Sequence, residues 1–369
     1  MMELDHDFSP TWNSTSESLS ENNYTADYYY DCQYEDYSGL KKIMNIVSIT
    51  VYSIAFVFGV LGNGLVIWVT GFKMKKTVNT VWFLNLAVAD LIFTIFLPFT
   101  IIYAALDFHW PFGNILCKIS STVLFLNMFA SIFLLTVISF DRCLTVIHPV
   151  WSQNHRTVQL ASVVAVFAWI GAIILSAPYF AFRDTGPAIG DNTTVCYNNF
   201  ALSDNFDNEK IMQLHQSRHQ AIIITRFLCG FLIPFTIIIT CYTIIASKLR
   251  KNQLTMSSKP FKVIIAVIVT FFICWFPYHV ISFLEMVSTN SSECNEELER
   301  AVIIGVPLLT SLAFLNSCMN PILYVFMGRD FRQSFRKSIL FVFESAFSED
   351  SAMSTINSKY KSKSTSTVY

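Results

Sequence analysis

Seven apolar runs, each long enough to cross a bilayer, decide most of what this chain can become. They occupy residues 43–70, 77–106, 119–140, 157–182, 220–247, 263–284 and 301–328. A hydrocarbon core about 30 Å thick needs ~20 such residues per helical crossing. Across the sequence 53% of residues are hydrophobic and only 14% are charged, against roughly 25% charged in ordinary soluble domains. Lipid cannot satisfy a backbone, so each run is predicted to close its own hydrogen bonds as a helix. The expected fold is an all-α membrane protein, a seven-transmembrane helix bundle over 43–328. Around it the sequence places an acidic, glycosylated extracellular tail at 1–42, a short amphipathic cytoplasmic helix at 329–343 and a Ser/Thr-rich cytoplasmic tail at 344–369.

The connections orient the bundle. Lys73, Lys75, Lys76, Arg142, Arg156, Lys248, Arg250, Lys251, Arg329, Arg332, Arg336 and Lys337 fall on one side, which the positive-inside rule makes cytoplasmic. The glycosylation acceptors Asn13, Asn23, Asn192 and Asn290 all fall on the other side, as luminal sugar transfer requires. The expected placement is the plasma membrane, multi-pass, with the N-terminus outside. Of nine cysteines, Cys32, Cys117, Cys196 and Cys294 map to the oxidising side, where disulfides persist. A Cys117 to Cys196 bridge would pin the loop before the fifth span across the mouth of the bundle. Cys32 and Cys294 are left either to pair or to stay free. Residues 1–40 hold nine acids and no Lys or Arg. Their stretch "DYYYDCQYEDY" reads either as a solvated leader or as an electrostatic lure for a basic protein ligand, its tyrosines beside acids suiting sulfation.

Only Asp90 and Arg226 carry formal charge inside the spans, and an intramembrane ionisable group marks a candidate functional site. Asp90 follows Lys76 by 14 residues, about 21 Å of helix, which puts it near mid-membrane. Asn127 and Ser131 share a face of the third span, and Asn316, Asn320 and Tyr324 share a face of the seventh. One carboxylate with amide and hydroxyl oxygens suits a small hard cation such as Na⁺. Plain interhelical hydrogen bonding is the alternative. Arg226 sits two turns outward of Pro234; its guanidinium offers a bidentate grip on an anion, or else it snorkels toward the interface. Glu285, Tyr103, Tyr278 and His279 are the expected neighbours of a ligand there, and Arg183 is a second receiver for a carboxylate. Pro277 is predicted to kink the sixth helix, with Phe271 and Trp275 one turn apart beneath it. "GVLGNG" at 59–64 lies in an apolar helix and reads as close helix packing rather than a nucleotide loop. No nucleophile or metal-ligand constellation suggests an enzyme, and no internal repetition suggests a transporter, the more remote alternative.

Taken together, Gly62 with Asn63, "NLAVADL", the "DRC" of Asp141, Arg142 and Cys143, Trp169, Pro234 with Tyr242, "FFICWFP" and "NPILY" resemble a rhodopsin-like G-protein-coupled receptor, over about 43–340. The resemblance implies that Asp90 binds Na⁺ with Ser131, Asn316 and Asn320. It also implies that Asp141 holds Arg142 in the closed state, that Tyr242 and Tyr324 support the open one, and that Trp275 and Pro277 form the hinge. "FHWPFG", "TRFLCGFL", "KPFK" and "NSCMNPILYVFMGRDF" resemble the chemerin receptors, or chemokine-like receptors, relatives of the formyl-peptide and anaphylatoxin receptors. That branch implies a peptide or protein chemoattractant, chemerin first, entering by an extended end, together with an inhibitory-class G protein and no nucleic acid. The Cys32 and Cys294 pair is more like chemokine and angiotensin receptors and keeps another chemoattractant or chemokine-like peptide as the alternative ligand. Ser348, Ser351, Ser354, Thr355, Ser364 and Thr365 are candidate phosphorylation sites for arrestin docking, and the basic, apolar segment after "NPILY" suits the inner lipid leaflet.

Overall fold

The computed structural model describes residues 37–188, 193–203, 209–251, 259–290 and 295–327. Among them are seven helices long and apolar enough to cross a membrane. The first span is α1 (Ser38–Trp68), prolonged by a π-helical turn, Val69–Lys73. The next two are α2 (Val78–Ala105) and α3 (Gly113–Ile147). A short α4 (Pro149–His155) leads to α5 (Val158–Phe182), the fourth span. A hairpin of β1 (Arg183–Pro187) and β2 (Thr194–Asn198) follows, antiparallel, with Thr185 opposite Cys196. The fifth span joins α6 (Glu209–Phe227), a π-helical turn at Leu228–Leu232, and α7 (Ile233–Lys251). The sixth and seventh are α8 (Lys259–Asn290) and α9 (Glu296–Met327). We call the hairpin end of the bundle the outer end.

Local chemistry explains the starts and breaks of these helices. Thr77 and Thr80 form a reciprocal cap on α2, the Thr77 hydroxyl accepting from Thr80 N at 3.2 Å and the Thr80 hydroxyl from Thr77 N at 2.8 Å. Thr157 caps α5 by accepting from Leu160 N at 3.2 Å. In the fifth span Pro234 lacks the N–H that the carbonyl of Gly230 would receive, and the ladder widens into a π turn just before it. The backbone at Gly230 comes so close to α3 that an added Cβ would stand 2.9 Å from Met128 Cε.

The fourth span packs small residues inward and large ones outward. On α5, Ala161, Ala165, Ala168, Ala172 and Ser176 are buried, while Val163, Val166, Phe167, Ile170, Ile173 and Ile174 are exposed. Lipid is as apolar as leucine, so helices associate through close backbone approach rather than by hiding their largest side chains. The third span is the most buried of the seven and the first the least, which makes α3 the hub. Gly59 and Gly62 also behave as packing glycines, facing Thr94 and Pro321.

Several helices outrun the apolar stretches read from sequence. α3 begins at Gly113, whose φ is 78°, a conformation glycine adopts without steric cost. α6 begins at Glu209 rather than near residue 220. Its first turns are polar, so apolar periodicity does not mark them, yet the helix continues past the hydrocarbon. Cys32, Cys294, Asn13, Asn23, Asn192, the segment 329–343 and the phosphorylation candidates lie outside the described residues, as do the side chains of Asn290 and Tyr324.

Candidate functional site

At mid-bundle, Asp90 on α2 is completely buried. Asn320 Nδ2 on α9 donates to its Oδ2 at 2.8 Å, and Asn127 and Ser317 flank the same carboxylate. Asn127 Nδ2 donates to Ser317 Oγ at 2.8 Å, and Ser131 Oγ donates to Asn127 Oδ1 at 3.3 Å. Asn63 on α1 donates to the Ser317 carbonyl at 2.8 Å. The structure thus brings together Asp90, Asn127, Ser131 and Asn320, with Asn316 buried one turn earlier on α9. Sequence reasoning missed Ser317, although it falls on the same face as Asn320. Among the described residues no donor reaches Asp90 Oδ1, Asn316 Oδ1 or Asn320 Oδ1. Buried acceptors left without donors are costly. An all-oxygen set with a single carboxylate fits a hard cation.

The outer end is tied by Cys117–Cys196, which joins α3 to β2 across 79 residues of sequence. Trp110 N donates to Thr194 O at 2.7 Å, fastening the loop before α3 to the same hairpin. Tyr103 belongs to this cluster, buried with Trp110, Cys117 and Cys196, and is not part of the group around Arg226. Arg183 is engaged in the hairpin itself. Its Nη1 donates to Asn198 Oδ1 at 2.9 Å and its Nη2 to Cys196 O at 2.7 Å, and the residue is buried.

Arg226 lies deeper and is only 4% exposed. Nη1 donates to Tyr278 Oη at 3.1 Å. The guanidinium carbon stands 5.3 Å from the Phe125 ring centroid and 5.1 Å from that of Tyr278. Tyr179 stacks on Phe125 at 3.5 Å and turns its hydroxyl to the arginine. Glu285, on the outer part of α8, faces the same charge. His279 packs against Tyr278, Phe227 and Phe231. Arg226, Glu285, Tyr278 and His279 therefore gather as one group, with Phe125 and Tyr179 added by the structure. In the sequence those two rings look like any aromatic in an apolar helix. Two aromatic faces, Phe125 and Tyr278, hold the cation, and Nε is buried with no acceptor among the described residues. The arrangement can receive one further anionic or carbonyl oxygen.

Inward of this group, Phe271 and Trp275 are buried with ring centroids 6.0 Å apart, Trp275 two residues short of Pro277 in α8. At the inner end the bond expected between Asp141 and Arg142 is replaced by another. Asp141 pairs with Arg156, just past α4, through Nε to Oδ1 at 2.7 Å and Nη2 to Oδ2 at 2.9 Å. Arg142 Nη2 instead donates to Asn79 Oδ1 on α2, which also accepts from Arg156 at 2.9 Å. The bidentate fit of a guanidinium to a carboxylate favours Arg156 as the partner, while Asp141 still acts on Arg142 through its charge. Tyr242 on α7 lies beside Ser139 and Arg142.

The family described as 7 transmembrane receptor (rhodopsin family) matches residues 62–324. Chemerin-like receptor 1 of Sus scrofa is 48% identical over 345 residues, covering 92% of each chain. Chemerin-like receptor 1 of Homo sapiens is 49% identical over 327 residues, covering 87% of this chain and 85% of the other. Chemerin-like receptor 2 of Homo sapiens is 41% identical over 350 residues, covering 95% of each. With seven membrane-spanning helices around a buried polar core and relatives this similar along almost their whole length, the chain belongs to the rhodopsin family of seven-transmembrane, G-protein-coupled receptors.

Proposed function

We propose that this protein is a cell-surface receptor for chemerin or a closely related chemoattractant peptide, with its N-terminus outside, an inhibitory-class G protein as its partner and arrestin as its regulator. The observation that carries the ligand reading is Arg226, a buried cation in an aromatic cage with one N–H still unpaired among the described residues. A peptide entering by its C-terminal end would bring a carboxylate to that N–H. Glu285 and His279, on α8 beside the same cage, would read the amide or basic groups that follow. The names of the relatives support chemerin as the first ligand to try.

Asp90, Ser131, Asn316 and Asn320 would hold Na⁺, with Asn127 in support. A bound cation supplies the positive charge that their undonated oxygens lack. Its loss would let α2, α3 and α9 close on one another as the receptor activates. Asp141, Arg142, Tyr242, Tyr324, Phe271, Trp275 and Pro277 form the proposed switch between pocket and G protein.

The test is agonist-driven nucleotide exchange on an inhibitory G protein, using the C-terminal peptide of chemerin as a free acid and as an amide. The free acid should be the stronger agonist on the parent receptor. Arg226→Ala should weaken the acid strongly and the amide little, since two groups that touch lose non-additively. Equal losses for both peptides would remove Arg226 from carboxylate recognition.

A further inference from the structure

We propose that His215 and His219 form a site for a divalent transition metal, suited to Zn²⁺, on the outer turns of α6. The two residues are one helical turn apart, so their side chains share a face. Their ring centroids are 6.5 Å apart. Both rings lie on the same aromatic partner, Phe200, at 5.4 Å for His215 and 5.0 Å for His219. Phe200 is itself buried and held, because Arg218 Nη1 donates to its carbonyl at 2.9 Å. Both imidazoles thus pack on one buried ring, which narrows the positions each can take. Among the described residues no hydrogen bond occupies the His219 ring.

Chemistry and spacing agree with one ion between them. Neutral imidazole is a common ligand for zinc at about 2.0–2.1 Å, so two rings on one tetrahedral ion have centroids about 5 Å apart. A small rotation of either side chain closes the difference from 6.5 Å. Water completes the coordination, which makes the site one of modest affinity, open to regulation rather than permanently filled. Of the nearby cations, Arg218 is engaged by the carbonyls of Phe200 and Ala201 and by the face of Phe182, and Arg226 stands in its aromatic cage. Glu209 opens the same helix with a negative charge.

The test is thermal unfolding of the purified full-length receptor titrated with zinc chloride, since an ion that binds only the folded state raises its melting temperature by mass action. The parent should be stabilised. His215→Gln, His219→Gln, and His219→Gln combined with Gln220→His should each need at least tenfold more zinc for the same shift. The last variant keeps the number of histidines and breaks only their alignment. Equal stabilisation of all four proteins, or no zinc response in the parent, would overturn the proposal.

Discussion

Asp141 binds Arg156 through two parallel hydrogen bonds, 2.7 and 2.9 Å long, and leaves its neighbour Arg142 to bond Asn79. The Asp141 and Arg142 pair at the inner end of α3 is thus not closed on itself by a hydrogen bond. It is spread over three elements: α3, the residue after α4, and the start of α2. Releasing Arg142 requires breaking its link to α2, and Arg156 sits on the same Asn79 oxygen.

Removing Arg156 should therefore loosen the closed state. The ion pair is partly exposed, with side chains 25% and 13% accessible, which sets its worth at about 1 kcal/mol or less. Arg156→Ala is expected to raise agonist-free nucleotide exchange by up to about fivefold, the population change that such an energy allows. Unchanged or lower basal exchange would show that the pair does not restrain the receptor.

Asp90→Asn keeps a partner for Asn320 and deletes the carboxylate charge. In the parent, replacing external Na⁺ with a large organic cation should raise agonist affinity. In the mutant that substitution should have no effect, because an ion shifts a population only by its differential affinity for the two states. Radioligand competition at two ionic compositions of equal strength measures both.

Gly59 gives a prediction about stability alone. A Cβ there would stand 2.4 Å from Thr94 Cγ2, and Thr94 is a stiff β-branched residue whose hydroxyl donates to Leu91 O at 3.2 Å. Gly59→Ala should cost roughly 1–3 kcal/mol as overpacking and lower the melting temperature in detergent. Gly64→Ala, with nothing within 4 Å of the added carbon, should leave it unchanged or raised.

Truncation after Phe347 removes Ser348, Ser351, Ser354, Thr355, Ser364 and Thr365. Agonist-driven arrestin recruitment and internalisation should fall steeply while nucleotide exchange is retained. Each phosphate that the proposed sites would carry is worth about −1.5 to −2 charge for docking to a basic arrestin surface. Intact recruitment by the truncated receptor would place the docking site elsewhere.

The bundle was legible in the sequence because the bilayer leaves a spanning backbone so few choices. Asp90 and Arg226 were legible for a related reason, a single charge being conspicuous in an apolar run. The partners of those charges were harder to read. Phe125 and Tyr179 serve Arg226 from other helices, and nothing in their local sequence separates a cage wall from ordinary core. Arg156 lies beyond a turn whose path no periodicity predicts. Arg183 and Tyr103 were read as pocket residues from their place near the outer end, but their direction depends on the hairpin, which draws both into its own packing.

The hairpin bond between Cys117 and Cys196 also has a mechanical meaning. It closes a covalent loop that contains all of α4, α5 and almost all of α3. The hairpin strand β2 and the outer tip of the hub helix are thereby joined by a covalent bond. From that bond a single uninterrupted helix, Gly113–Ile147, runs to Asp141 and Arg142 at the inner end, so the strand at the mouth and the charged pair at the opposite face belong to one covalently tethered rod.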